Sequence, residues 1–326
     1  MKSKNIFRFL LVGLIVVFAF AGTVLGATYP KKPITMIIPL GAGGSHDLNA
    51  RVFTSVIPEY LGQAIVVKLM PGAGGQTGTA AAVRAKPDGY TLIFTHNYID
   101  QLQPLVEKLP YDTTKALRTV WALNYGPPVF FSRSDKPWKS LDELLDHGRK
   151  NPGKLQFAHT GKWGAGFTPG ALVLTKAGVD AQFIPYKGGG PALQAILAGD
   201  GDFSVGFPAQ TLPLYRAGKL RLFAVSAEKR LKEAPDVPTL KELGYTSGVM
   251  YRIIMVPRKT PDDRVKVLQE AFRKLYEDKT FKNLMAKLGE NMEYMDGPDY
   301  EKVREEQKKQ YAELIEKITG EKPKGK

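Results

Sequence analysis

The chain has no cysteine in its 326 residues and only four histidines. Without cysteine it forms no disulfide and no thiolate metal site, and it offers no attachment point for the lipid anchor of a lipoprotein. The histidines are His46, His96, His147 and His159, and their spacing does not match metal-binding pairs one helical turn apart. The sequence therefore predicts no metal, no cofactor and no lipid anchor.

Long apolar runs are also scarce, because the sequence contains a single one near its start. Three basic residues precede an apolar run over residues 9–21, and small residues follow up to Ala27. This pattern is typical of a secretory signal peptide, here residues 1–27. The alternative is an uncleaved N-terminal anchor, since the run approaches the roughly 20 residues that span a bilayer. Both interpretations predict a periplasmic or other extracytoplasmic location.

Negative charge is in short supply. Lys and Arg number 46 against 32 Asp and Glu, which gives +14, and loss of three basic residues with the signal leaves +11. The basic residues are spread over helices that also carry acidic residues, as is typical of solvated faces. A nucleic-acid interface would cluster them among aromatics, so we predict no nucleic-acid partner. The positive field would still concentrate anionic ligands.

Beyond the signal, β-rich runs alternate with helical ones, which predicts an α/β fold of βαβ units with largely parallel sheets. The predicted strands are 34–39, 64–68, 90–94, 128–132, 155–158, 182–184, 202–207, 220–226 and 251–257. The predicted helices are 47–61, 75–85, 140–149, 168–177 and 191–198. From Asp262 the chain is predicted to be helical, with breaks at Gly289 and at Gly297-Pro298, and residues 321–326 form a disordered tail.

Four glycine-rich loops each follow a predicted strand and precede a predicted helix. They span residues 39–47, 71–78, 159–166 and 185–191. Ligands of α/β proteins bind at the carboxyl ends of parallel strands, where glycine lets the backbone approach and helix N–H groups favour an anion. With two loops in each half of the chain, the sequence predicts an anion site between two lobes.

Other kinds of site fit these loops poorly. The dinucleotide fingerprint requires glycine where His46 and Thr77 stand, and Gly161-Lys162 precedes Trp163 rather than the Ser or Thr of a phosphate loop. Ser45, His46 and Asp47 are consecutive, so they cannot reach the geometry of a hydrolase triad with one another. We therefore predict no catalytic residues, and we expect the Asp47 carboxylate to bind N–H groups of its loop.

Nine short segments, in order over nearly all of the chain after the signal, carry a family pattern. They are YPKKPI at 29–34, AGG at 42–44 with Asp47 and residues 50–51, PGAGG at 71–75 with Gly78, PDGYTL at 87–92, LPYD at 109–112, PGKL at 152–155, PYKG at 185–188, AGKLR at 217–221 and PDVPT at 235–239. In these segments the chain resembles the substrate-binding proteins of tripartite tricarboxylate transporters, the Bug or TctC-like family.

The resemblance implies an α/β, type II periplasmic-binding-protein fold with a ligand cleft between two lobes. Lobe 1 would comprise residues 28–126 plus 250–320, lobe 2 residues 127–249, and the strand at 251–256 would be the return crossing. It further implies a monomeric solute-binding protein without catalysis. Such a protein captures a di- or tricarboxylate, an acidic amino acid or an aromatic acid, and delivers it to membrane permease subunits. The alternative is an exported α/β hydrolase-like enzyme.

By the same resemblance, ligand-binding positions can be carried over to this chain. They are Ala42, Gly43, Gly44, Asp47, Thr160, Gly161 and Gly164, together with Gly74 and Gly75. Two positions depart from the family pattern, because Gly206-Phe207 replaces a common acidic or amide pair and Trp163 is unusually large. Phe207 and Trp163 would fit an aromatic or more apolar acid. Alternatively, both pack in the core.

Overall fold

The computed structural model describes residues 29–246, 248–290, 292–319 and residue 323. The predicted signal peptide, and the predicted disordered tail except residue 323, lie outside the described residues.

Strands and helices alternate along most of the described chain. In chain order the strands are β1 (Ile34–Ile38), β2 (Ile65–Leu69), β3 (Thr91–His96), β4 (Leu117–Gly126), β5 (Val129–Arg133), β6 (Leu155–His159), β7 (Ala181–Pro185), β8 (Phe203–Gly206), β9 (Leu220–Val225), β10 (Met250–Pro257) and β11 (Met295–Asp296). The α-helices are α1 (Ser45–Val56), α2 (Pro58–Leu61), α3 (Gln76–Val83), α4 (Gln103–Val106), α5 (Thr113–Ala116), α6 (Leu141–Lys150), α7 (Thr168–Lys176), α8 (Gly189–Ala198), α9 (Pro208–Arg216), α10 (Asp262–Glu277), α11 (Lys279–Lys287) and α12 (Gly297–Thr319).

The strands form two sheets that share the same order and direction of their strands, apart from the additional β11 in the first sheet. The first has the order β11-β4-β10-β3-β1-β2, and the second has the order β7-β6-β8-β5-β9. Strands β1, β2 and β3 are parallel, whereas β10 runs antiparallel to both β3 and β4. In the second sheet β5 is likewise antiparallel to β8 and β9. The prediction of largely parallel sheets is thus correct except for one reversed strand in the body of each sheet and the short β11.

The reversed strands are those that connect the two sheets. The chain leaves the first sheet at the end of β4, enters the second with β5, and returns through β10, so that Met250 pairs with Gly126 where both crossings meet. Two crossings with this strand order define the type II periplasmic-binding-protein fold, which confirms the predicted fold class. The predicted return strand at 251–257 is β10.

Each sheet packs its own apolar core against helices. Around the first sheet, Phe53 of α1, Trp121 of β4 and Phe272 of α10 are fully buried, and the Trp121 and Phe272 rings stack with centroids 5.1 Å apart. In the second sheet, Phe157 of β6 stacks on Phe203 of β8 at 4.7 Å. The first of these contacts holds helix α10 on its sheet, and the second joins neighbouring strands within the other sheet.

Three local differences from the sequence prediction have physical causes. The helix predicted over 47–61 is divided between α1 and α2, because Pro58 lacks the N–H that would continue the hydrogen-bond ladder. Gly297-Pro298 does not separate helices but begins α12, since proline suits a first helical turn. Strand β4, the short β11 and helix α9 were absent from the sequence prediction.

Within residues 29–319, apart from the two undescribed positions, no helix combines the length and the apolar character needed to cross a bilayer.

Candidate ligand-binding cleft

The four glycine-rich loops meet between the two sheets. Gly41 N, after β1, donates a hydrogen bond of 2.8 Å to Lys187 O, after β7. On the other side of the cleft, the turn at Gly74 packs against Gly161, where a Cβ would lie only 2.7 Å from Gly74 Cα. Gln103 reinforces this contact, because its Nε2 donates to both Gly74 O and Lys162 O, at 2.7 and 3.3 Å.

Glycine is required at Gly190 by the closeness of the lobes. A Cβ at this position would lie 1.9 Å from Ala42 O, which no side chain can tolerate. The loop after β1 and the start of α8 therefore touch through backbone atoms alone.

An outer cavity of about 340 Å³ lies where these loops diverge toward the surface. Its walls are mainly backbone of the loops after β1, β2, β6 and β7, with the side chains of Gln76, Glu107, Lys162 and Lys187 around it. Both lysines are exposed. They place positive charge at the mouth of the cleft, where it favours the approach of an anion.

A smaller inner pocket of about 20 Å³ lies deeper between the lobes and shares Leu40 and Thr160 with the outer cavity. This volume accommodates a group about the size of one water molecule. A larger group can enter only if the contacts between the two halves of the cleft separate. The lining residues are Leu40, Gly44, Ser45, His46, His96, Thr160, Ala165, Gly166, Gly189, Val205, Gly206, Phe207, Gln210 and Met250.

Three helices begin at the inner pocket. The caps of α1, α8 and α9 are Gly44, Gly188 and Phe207, and none of them gives its helix a side-chain capping hydrogen bond. The first N–H groups of a helix have no partner within the helix, and they carry the positive end of its dipole. Three such ends around one pocket create a local preference for negative charge.

Gln210 of α9 reaches across the cleft to one of these helix ends. Its Oε1 accepts a hydrogen bond of 3.1 Å from Ser45 N, the first residue of α1. The amide group is buried, and it lies 165 residues along the chain from its partner. An oxygen acceptor from lobe 2 therefore occupies a donor of lobe 1 that would suit a carboxylate oxygen.

Asp47 holds the loop before α1 in shape. Its Oδ2 accepts from Gly43 N at 2.8 Å and pairs with Arg51 one turn later at 3.2 Å. The side chain is buried, and it does not line either cavity. Asp47 thus uses its carboxylate on the loop N–H, as the sequence suggests, and orients the following N–H groups of Gly44 and Ser45.

A buried ion pair lies beneath the inner pocket. Arg252 of β10 and Glu290, after α11, are hydrogen bonded at 2.8 and 3.0 Å. Glu290 Oε1 also accepts from Asn49 of α1, and the Arg252 guanidinium lies 5.5 Å from the centre of the Phe207 ring. Burial lowers the pKa of Arg252 from its usual value, and Glu290 acts in the opposite direction. This network fixes the floor on which Ser45 and Phe207 rest.

The predicted site residues take three kinds of position. Those that line a cavity are Gly44, Gly74, Gly75, Thr160, Gly161 and Phe207. Ala42, Gly43, Asp47 and Gly164 support the loops without lining either cavity. Trp163 also lines neither; its backbone has a φ of +60°, and its half-buried ring packs edge-on against Phe167 at 5.8 Å.

Several residues of the pocket were not among the predicted ligand-binding residues. Among them are Ser45, His46, His96, Gln210 and Met250. His46 lies within a recognised glycine-rich loop, residues 39–47, so its neighbours gave a usable signal. Gln210 and His96 had none, because α9 was not predicted and the end of β3 carries no glycine motif.

In the part of the chain that the structure describes, no group of three or more His, Asp or Glu side chains is placed to hold a metal ion.

Comparison with known proteins agrees with this fold. A family model described as tripartite tricarboxylate transporter family receptor matches residues 49–319. BugT of Bordetella pertussis is 33% identical over 76% of this chain and 77% of its own length. The structure of the periplasmic binding protein BugD has a TM-score of 0.84 at 29% identity, covering 89% of this chain and 98% of BugD. MatC from Rhodopseudomonas palustris with bound malate has a TM-score of 0.82 at 26% identity, covering 88% and 100%.

Proposed function

Because the chain belongs to the tripartite tricarboxylate transporter receptor family, we propose that it captures a small carboxylate between its lobes for uptake. Proteins of this family are periplasmic solute-binding receptors. The lobes proposed for this chain are residues 28–126 with 250–320, and residues 127–249. In our proposal a signal peptide over residues 1–27 exports the chain, which acts as a monomer and passes its ligand to membrane permease subunits.

The observation that carries the proposal is the meeting of three helix N-termini at the inner pocket. Helix α1 belongs to one half of the cleft and helices α8 and α9 to the other, and each begins without a side-chain cap. A carboxylate oxygen between them accepts charge-assisted hydrogen bonds, each worth roughly 1.5–3 kcal/mol. A neutral sugar would not benefit from the same dipoles.

This arrangement supports a carboxylate ligand, as does the structure of MatC, a similar protein with bound malate. We propose a di- or tricarboxylate, an acidic amino acid or an aromatic acid. Gly44, Gly74, Gly75, Thr160 and Gly161 would face the ligand with backbone and hydroxyl groups. Phe207 adds an apolar surface beside them, which suits the carbon skeleton of the acid.

A thermal-shift titration of purified residues 28–326 tests the proposal. The panel contains dicarboxylates, tricarboxylates, acidic amino acids and aromatic acids, with sugars and divalent cations as comparison compounds. We expect at least one carboxylate to raise the melting temperature in a saturable way, because a ligand that binds only the folded state stabilises it. A panel in which sugars or cations shift the melting temperature and no carboxylate does would contradict the proposal.

A further inference from the structure

Two histidines line the inner pocket side by side. His46 lies in the first turn of α1 and His96 at the end of β3, and both side chains are buried. Their ring centroids are 5.2 Å apart. Neither ring is needed to explain carboxylate binding by helix N-termini, so their presence in this pocket calls for a separate explanation.

The hydrogen bonds of His96 define its tautomer. Its Nδ1 accepts from the backbone N–H of Ile99 at 3.4 Å, so this nitrogen carries no proton. Burial, and then the nearby charge of Arg252, lower the pKa of His96 to about 3, which keeps the ring neutral. In a neutral ring the other nitrogen must then hold the proton. Nε2 of His96 is therefore a hydrogen-bond donor.

His46 is the same tautomer as His96, but the nitrogen that already has a partner is its Nε2. Its Nε2 lies 3.1 Å from Thr95 O, and because a carbonyl oxygen only accepts, Nε2 must be the donor. Burial, with His96 and Arg252 adding to the effect, lowers the pKa of His46 well below its usual value, so this ring is neutral too. Nδ1 of His46 is consequently a lone-pair acceptor.

A carboxylate alone cannot satisfy both rings. Its oxygens can accept from Nε2 of His96, but they have no proton to donate to Nδ1 of His46. A hydroxyl group can do both, since it donates through its hydrogen and accepts through its lone pairs. An ammonium group could donate as well, but the positive charge of Arg252, which lowers the pKa of both rings, opposes a second cation there.

We propose that His46 and His96 form a hydroxyl-recognising pair, and that the preferred ligand is a hydroxycarboxylate. This inference rests on the proposed function, since it assigns the substrate class of the same cleft. Both rings line the inner pocket, so a hydroxyl next to a carboxylate held by the helix N-termini would lie within the same pocket. A hydroxyl there leaves neither histidine unpaired, whereas a ligand without one leaves a buried acceptor unsatisfied.

Matched pairs of acids that differ only by a hydroxyl group test the inference by calorimetric titration. The pairs are malate with succinate, citrate with tricarballylate, and mandelate with phenylacetate, which cover three carbon skeletons. We expect the hydroxyl-bearing member of the best-binding pair to bind about tenfold more tightly, the effect of one hydrogen bond worth about 1.4 kcal/mol.

Variants assign that preference to the histidines. His46→Phe removes the acceptor, so we expect the affinities for the two members of a pair to become nearly equal. His46→Gln keeps an acceptor oxygen, so we expect it to retain a measurable preference for the hydroxyl-bearing acid. His147→Phe is the matched control. His147 lies in α6, where its ring packs on Trp138, and it lines neither cavity of the cleft. If His46→Phe fails to fold, ¹⁵N NMR of the parent protein still reports the two tautomers and the response of Nδ1 of His46 to malate and succinate.

The outcomes separate this inference from the proposed function. Equal affinity for both members of every pair, with ordinary carboxylate binding, would overturn the hydroxyl-recognising pair and leave carboxylate capture standing. NMR showing Nδ1 of His46 protonated would overturn it as well. A parent protein that binds none of the six acids, nor any other carboxylate, would instead contradict the proposed function itself.

Discussion

A single side chain, Gln210, places an acceptor oxygen where a ligand carboxylate is expected to bind. Its Oε1 already accepts from Ser45 N at the start of α1. In Gln210→Glu this oxygen would become part of a carboxylate held by the same helix ends. We expect the affinity for the best carboxylate to fall by about 100-fold or more at neutral pH, because like charges a few Å apart in a partly buried site repel by several kcal/mol.

Calorimetric titration measures this loss, with Gln210→Met as the control of similar volume and no charge. Lowering the pH should restore part of the affinity of Gln210→Glu relative to the parent at the same pH, because protonation removes the introduced charge. Unchanged binding by Gln210→Glu would mean that the ligand carboxylate lies elsewhere, for example in the outer cavity.

Among single residues, the sequence predicts those whose position is set by the backbone of their own loop. Gly44, Gly74 and Gly161 stand in loops that any strand-to-helix turn brings to the cleft, and Asp47 acts on its own loop. Gln210 and His96 reach the pocket only through the packing of α9 and β3 against other elements. No short-range pattern encodes such contacts, so they could not be predicted from the residues alone.

The buried ion pair of Arg252 and Glu290 connects several secondary-structure elements. It links β10 to the segment after α11, and Glu290 also accepts a hydrogen bond from Asn49 of α1. Both side chains are fully buried. Glu290→Gln leaves the guanidinium charge without its counter-ion, and we expect the free energy of unfolding to fall by about 3–5 kcal/mol. Urea unfolding monitored by tryptophan fluorescence measures the change.

The matched control for this substitution is Glu293→Gln, since Glu293 is exposed nearby and should change stability little. The double variant Arg252→Met, Glu290→Leu should recover much of the loss, because it leaves no unpaired buried charge. A single variant as stable as the parent would show that water or another group compensates Arg252, and that the floor of the pocket does not depend on the pair.

Some strands of the two sheets could be predicted from the sequence and others could not. Periodicity and breakers gave β1, β2, β3 and most strands of the second sheet, because each is an apolar run bounded by glycine or proline. Strand β4 is almost wholly buried, but the sequence does not predict it, because polar residues such as Thr119 and Asn124 interrupt its apolar run. Asn124 has a structural reason to be there, since it hydrogen bonds Glu290 and Arg252 of the buried network.

At the scale of the whole molecule, we expect ligand binding to depend on how closely the two lobes approach each other. Gly41 N contacts Lys187 O, and Gly190 lies against the carbonyl of Ala42 with no room for a side chain. Since the φ of Gly190 is not in the left-handed region, alanine would fit its backbone and would even favour α8. The substitution Gly190→Ala therefore changes the approach of the lobes and leaves lobe 2 itself intact.

We expect Gly190→Ala to hold the lobes apart, since its Cβ would lie 1.9 Å from Ala42 O. Small-angle scattering should give a larger radius of gyration than the parent in the presence of saturating ligand. The affinity should fall by at least about tenfold, because one lost charge-assisted hydrogen bond alone removes roughly 1.5–3 kcal/mol. The cause would be incomplete closure, which leaves the N-termini of α1 and α8 too far apart to share one carboxylate.

The control is Gly178→Ala, a glycine of lobe 2 with φ of +65° and nothing within 4 Å of its Cβ position. It introduces backbone strain at a site remote from the cleft, so it should lower stability modestly while scattering and affinity stay like the parent. If Gly190→Ala closes and binds as the parent does, the loop after β1 must move aside at little energetic cost. The backbone contact between Ala42 and Gly190 would then follow from closure without limiting it, and the fit of the lobes would have to come from the Gly74 and Gly161 side of the cleft.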